Sequence, residues 1–201
     1  MIKTKQYLER VHGFNVIGGY LSPTHDEYVR GKLGEELISG QHRIEICQKA
    51  IEEANQQHWL SVDKAECMAP NFISLGQVTL SLKMFINTVL NLPKPVRVIY
   101  IAGLDLFNRC HGMHRLRTPD RDGVAVVYRS GEEEHLVRSV QSPHLDKVYY
   151  VKNDSTDNEI SALSDISSTQ IRRMLKDGQS CEHLTYPSVL NYLKLIPLEK
   201  K

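Results

Sequence analysis

Apolar positions run along the chain in two rhythms. Val96 to Ala102 (VRVIYIA) and Val124 to Tyr128 (VAVVY) are continuous β-branched runs, the pattern of strands covered on both faces. Val148 to Val151 repeats the signature more weakly, and Trp59 to Val62 predicts a short strand. Phe14 to Tyr20 (FNVIGGY) predicts a strand running into a glycine turn. Between them, His42 to Gln56 places Ile44, Cys47, Ile51 and Ala54 on one helical face. Helices are also predicted over 2–11, 76–91, 167–176 and 187–195. Residues 21–40 (LSPTHDEYVRGKLGEELISG) carry too much proline, glycine and charge for a regular element, and a loop that long is usually functional. Alternating strands and helices predict an α/β fold, a doubly wound parallel sheet with helices on both faces. Ligands in such sheets sit at the carboxyl ends of the strands. The loops after Tyr20 and Ala102, and the one before Ser167, are therefore the places for a site.

One of those loops opens a helix with well-defined ends, DISSTQIRRMLKDG over 165–178. Ser167 suits an N-cap, Gln170 completes a capping box, and Gly178 suits the residue just past the end. The free N–H groups and positive dipole of that amino end, the hydroxyls of Ser168 and Thr169, and the guanidinium of Arg172 add up to an anion site of phosphate size. The same residues also suit a capped surface helix with two solvated arginines.

Composition narrows the classes. A chain of 201 residues suits a single domain, 1–201, with a real core. Its net charge of +1 supplies no long-range field for nucleic acid or an anionic membrane, so any anion site must be local. No apolar run is long enough to span a membrane, and the basic start has no apolar h-region of a secretory signal. The four cysteines, at 47, 67, 110 and 181, form no Cys-x-x-Cys pair and fit neither a zinc site nor a disulfide framework. A reducing compartment, cytosol or nucleus, follows. Cys110, His111 and His114 fit no standard zinc spacing, so 108–123 (NRCHGMHRLRTPDRDG) reads as a polar surface loop and no metal ligands are assigned. The sequence does not specify an oligomeric state, and a homo-oligomer is compatible with it.

Five stretches, in order, resemble one family. ISSTQIRR resembles the Ile-Ser-Ser-Thr-x-Ile-Arg signature of nucleotidyltransferases that adenylylate nicotinamide or nicotinate mononucleotide. GGYLSPTHDEYVRGKL (18–33), QHRIEIC (41–47), HWLSVDKAE (58–66) and IAGLDLF (101–107) resemble further segments of that family, over roughly residues 7 to 195. The resemblance implies a Rossmann-like fold, ATP as adenylyl donor, magnesium bridging its phosphates, and NAD as product. It implies that Ser168, Thr169 and Arg172 hold the ATP phosphates, flanked by Ser167 and Ile171. Gly103 and Asp105 would take the ATP ribose and adenine side. Gly19, Tyr20 and Arg30 would lie by the dinucleotide and the mononucleotide phosphate, with Ala65 and Glu66 on the mononucleotide side. Gly103 and Asp105 equally suit a strand end and a helix cap, Tyr20 a core aromatic, and Arg30 a solvated loop cation.

The family pattern also breaks. Its Gly-x-Phe-x-Pro-x-x-x-x-His segment, which follows the first strand and contacts ATP, has no counterpart here. The first residues correspond to the helix after that segment, so the expected sheet lacks its first strand. His25 aligns with the second loop and reads as a loop histidine. Ala65 occupies the position read as that of the tryptophan on which nicotinamide stacks, and Trp59 is the chain's single tryptophan. Affinity for the mononucleotide then depends on a substitute Tyr or His. Three readings stay open: the adenylyltransferase itself, a catalytically silent nucleotide- or partner-binding relative, and an unrelated doubly wound protein.

Overall fold

Five short strands hydrogen-bond into two parallel sheets: β1 (Gly19–Leu21) with β2 (Leu60–Val62), and β3 (Tyr100–Gly103), β4 (Val124–Val127) and β5 (Val148–Val151) in that order. The fold is that of a computed structural model, which describes residues 1–34, 37–90, 92–128, 144–151 and 168–196. Every ladder is parallel, in keeping with the α/β expectation and a Rossmann-like class. The chain divides into two compact units, one of Met1–Val16 and Leu75–Asp165, the other of Ile17–Ser74 and Ile166–Lys201.

In the first unit β4 is central, and Val124, Ala125 and Val126 are fully buried, as a strand with ladder partners on both sides requires. Their core partners are Ala102, Leu104, Phe107, Met113, Leu116, Tyr128 and Val148. β3 leads into α5 (Leu104–Arg109), and α4 (Leu75–Val89) precedes it. The run Val96 to Ala102 becomes strand only from Tyr100. Upstream, side chains take over the backbone: Val96 N–H donates to Asn87 Oδ1 at 2.6 Å and Val98 N–H to Asp122 Oδ2 at 2.8 Å. The predicted polar loop over 108–123 contains a 3-10 turn, His111–Leu116, that buries Met113 and Leu116, and Arg117 just beyond it is buried too. His111, Gly112 and Met113 all hold positive φ there.

α1 (Ile2–His12) closes at Gly13 in the left-handed region. The predicted strand over 14–20 forms only at its end, because Phe14 acts as a packing plug. Its ring meets Tyr149 of β5 edge-on at 5.1 Å, and the Arg97 guanidinium lies over it at 4.5 Å.

In the second unit the described part of 21–40 is not wholly irregular. It holds α2 (Asp26–Leu33), with acidic Asp26 and Glu27 in the first turn and Gly34 at the end. Local capping outweighs the composition of that stretch. α3 (Gly40–Glu53) follows, and α7 (Pro187–Leu195) docks on it. Ser188 N–H donates to Glu53 Oε2 at 2.8 Å, His42 Nδ1 bonds Tyr192 OH at 2.9 Å, and Lys49 lies over the Tyr192 ring. α6 (Ser168–Lys176) is the helix of the ISSTQIRR signature. Ser167, the expected N-cap, lies outside the described residues. At the other end Gly178 is left-handed, Gln179 N–H reaches Met174 O at 2.8 Å and Gly178 N–H reaches Leu175 O, the expected glycine closure.

Candidate functional site

β1 and β2 run parallel, so their carboxyl ends open at the same edge. Gly19 pairs with Leu60, Tyr20 with Ser61 and Leu21 with Val62, and the next residues are Ser22 and Asp63. Ser22 Oγ donates to Glu66 Oε2 at 3.1 Å and lies 3.4 Å from Asp63 Oδ2. Asp63 Oδ1 also accepts the Ala65 N–H at 3.0 Å, turning the chain toward Glu66. The Glu66 side chain is buried, 7% exposed. Burial pushes its proton affinity up and Asp63 adds to that, while the Ser22 and Thr24 hydroxyls and the His25 N–H pull it down.

The sign of the pH effect follows. With its folded pKa raised, Glu66 favours the native state while protonated. That contribution is lost as pH rises from the ordinary glutamate range through the raised value. Glu66→Gln keeps an acceptor and removes the charge. As pH rises above the ordinary glutamate range, its melting temperature should fall less than the wild type's. Parallel curves for the two proteins would refute this.

His25 caps α2. Its Nδ1 accepts the Glu27 N–H at 3.3 Å and its Nε2 bonds Ala69 O at 3.1 Å, a pairing that selects the Nε2–H tautomer. Behind it, Asp26 Oδ2 accepts the Gly40 N–H at 3.1 Å and Oδ1 pairs with Arg43. The 22–28 segment is thus fastened to 63–72 rung by rung. At the last rung the rings of Tyr28 and Phe72 stack, with centroids 5.2 Å apart and planes 14° from parallel, and both rings are exposed.

Sequence reasoning singled out neither ring. Tyr28 stood inside a motif assigned to a loop, and Phe72 has no periodic context at all. Placing 26–33 on a helix is the signal that would have found Tyr28. Arg30 lies two residues on in α2 and is exposed, as is Ala65. Tyr20 is 39% exposed, which removes the core-aromatic alternative.

Gly103 and Asp105 belong to the other unit. Gly103 ends β3 opposite Val127 and caps α5, and Asp105 sits in the first turn, both exposed. Gly103 has an ordinary φ of −72°, and a Cβ there would meet nothing within 4 Å. Neither backbone nor packing requires glycine at this position, and the space before it is open. On α6, Ser168 and Thr169 are exposed in the first turn and Ile171 is half-buried. The Arg172 guanidinium reaches back to donate to Thr169 Oγ1 at 3.2 Å, placing its charge at the amino end.

No family model matches the chain. Its curated relatives are consistent with one another. It is 28% identical over 192 residues to the nicotinamide/nicotinic acid mononucleotide adenylyltransferase of Arabidopsis thaliana, covering 92% of this chain and 76% of the relative. To adenylyltransferase 2 of Saccharomyces cerevisiae it is 28% identical over 194 residues, 90% of this chain but 47% of that protein. A segment of 65 residues is 42% identical to adenylyltransferase 2 of Xenopus tropicalis. Over about nine tenths of its length the chain is similar to nicotinamide/nicotinic acid mononucleotide adenylyltransferases. It spans about half the length of the yeast members and three quarters of the plant one. In this chain one candidate cluster gathers at the β1 and β2 ends and continues onto α2. The Gly103 turn and the α6 amino end are each built locally within their own unit.

Proposed function

We propose that the chain transfers the adenylyl group of ATP to nicotinamide or nicotinic acid mononucleotide, forming the dinucleotide. A mononucleotide phosphate oxygen bonds to the α-phosphorus of ATP as the bond to the β-phosphate oxygen breaks, and pyrophosphate leaves. Such a reaction needs positioning and charge neutralisation more than a covalent intermediate.

The observation that carries the reading is the exposed Tyr28–Phe72 stack beside the strand ends. It offers a flat aromatic surface for the pyridine ring where Ala65 offers none. Arg30 supplies a cation on the same helix for the mononucleotide phosphate, and Gly19 and Tyr20 lie at the adjoining strand. On the ATP side, Ser168, Thr169 and Arg172 receive the phosphates, with Ser167 and Ile171 flanking them.

Among the described residues no three of His, Cys, Asp and Glu converge on one point. They form no protein-only cage for magnesium, which would enter with the ATP phosphates and neutralise part of their charge. Four free thiols support a reducing compartment, cytosol or nucleus. No described helix is long and apolar enough to cross a membrane.

Incubation with ATP, magnesium and nicotinamide mononucleotide tests the reading through the NAD formed. No NAD, either from this chain or from one extended by the relatives' amino-terminal segment, would end it. In the active form, Phe72→Leu should raise KM for the mononucleotide about fivefold and leave KM for ATP unchanged, the effect of one lost ring contact. Equal KM values would remove the stack from the site.

A further inference from the structure

The Glu66 carboxylate accepts the Ser22 hydroxyl at 3.1 Å, and the nearby Thr24 hydroxyl and His25 N–H, in the same short segment, favour its charged form. That segment is the lead-in to α2, the helix that carries Tyr28 and Arg30. We infer that Glu66 is a positioning residue, which does not touch the substrate but clamps the 22–25 lead-in so that α2 presents Tyr28 and Arg30 to the mononucleotide. The inference rests on the function proposed above and departs from the family resemblance, which would put Glu66 against the substrate.

The geometry favours a clamp over a ligand. Glu66 is nearly closed to solvent, whereas Tyr28, Arg30 and Phe72 are open to it. Its carboxylate holds the Ser22 hydroxyl and faces the donors of Thr24 and His25, all in one short stretch, which restrains the path of the backbone there. Asp63 shares the Ser22 hydroxyl, so the lead-in is held by both residues that follow β2. The next residue, Cys67, lies against Arg43 and Gly40, and Asp26 at the start of α2 pairs with Arg43. His25 adds a fourth tie, to Ala69 O. Nothing in this chain of contacts points the Glu66 carboxylate outward. Removing it frees the segment at the end that leads into α2, while the Tyr28–Phe72 contact holds the helix only by ring stacking.

Two readouts on the full chain test this: hydrogen exchange across 22–33, and calorimetric titration with nicotinamide mononucleotide and, separately, with ATP. Glu66→Ala should speed exchange across 22–33 but not across 187–195. It should weaken mononucleotide binding about tenfold and leave ATP binding unchanged. The double substitution Ser22→Ala with Thr24→Val removes the two hydroxyl donors from the other side and leaves only the His25 N–H. It should give the same pattern, and it keeps the test decisive if Glu66→Ala does not fold. Glu66→Gln, which retains an acceptor, should restore most of both. If the double variant binds the mononucleotide like wild type while Glu66→Gln loses it, Glu66 is a direct ligand and the clamp is wrong. Unchanged exchange in both Glu66→Ala and the double variant also overturns it. A wild type that binds no mononucleotide would instead overturn the proposed function, and the exchange data would still judge the clamp.

Discussion

Gly123→Ala is expected to cost at least about 3 kcal/mol of stability, read as a fall in the urea midpoint. Gly123 holds φ of +114°, a conformation that L side chains rarely adopt, and a Cβ there would collide with the carbonyl oxygen of Lys147. The position is also a junction. Gly123 N–H donates to Leu116 O and its carbonyl accepts the Tyr100 N–H, both at 3.1 Å, one residue before the first rung of β4. Lys147 stands one residue before β5, and its ammonium donates to the carbonyls of Thr118 and Arg121 at 2.8 and 2.7 Å. An added methyl would therefore push apart the starts of two adjacent strands, β4 and β5. Gly103→Ala is the control: with ordinary φ and open space, it should change stability by less than about 0.5 kcal/mol. Equal, small effects at both positions would show that the Gly123–Lys147 approach does not organise the sheet.

That junction marks how far the fold can be read from the chain. The doubly apolar run at 124–127 declares itself, and 148–151 more weakly, because burial on two faces leaves no polar position in the pattern. Val96–Ile99 has the same pattern but is not strand, since its N–H groups go to the Asn87 and Asp122 side chains. Hydrophobicity reports that a residue is covered, not which group completes its backbone bonding. The opposite failure occurs at 26–33, where charge and glycine read as loop. A histidine cap and two acidic residues in the first turn made a helix instead, one that no apolar stripe announced.

The site divides in the same way. Local structure was legible: the glycine-ended α6 with Arg172 in its second turn, and the strand-to-helix turn at Gly103. Tertiary pairing was not. Tyr28 and Phe72 are 44 positions apart and meet only because β1 and β2 are parallel and end together. Nor can sequence distinguish a buried carboxylate that serves a neighbouring loop from one that faces a ligand.

The largest functional effect is expected from Arg172→Ala, which should weaken ATP binding by about 10- to 100-fold, the range for losing a charge-assisted contact of about 1.5–3 kcal/mol. Three features concentrate on this one side chain. It sits in the second turn of α6, where the dipole is still positive. Its Nη2 already points at the amino end through Thr169 Oγ1. The hydroxyls and N–H groups around it can donate to an anion but cannot neutralise its charge. Arg172→Lys should recover only part of the loss, because an ammonium lacks the planar fork that grips two phosphate oxygens. Calorimetric titration with adenosine separates a phosphate contact from general damage. Adenosine carries no phosphate, so its affinity should be the same for wild type and variant. A parallel drop for adenosine would mean that the helix had merely been disturbed. Unchanged affinity for ATP would mean that the amino end of α6 holds no phosphate, and the adenylyl-transfer reading would lose its donor site.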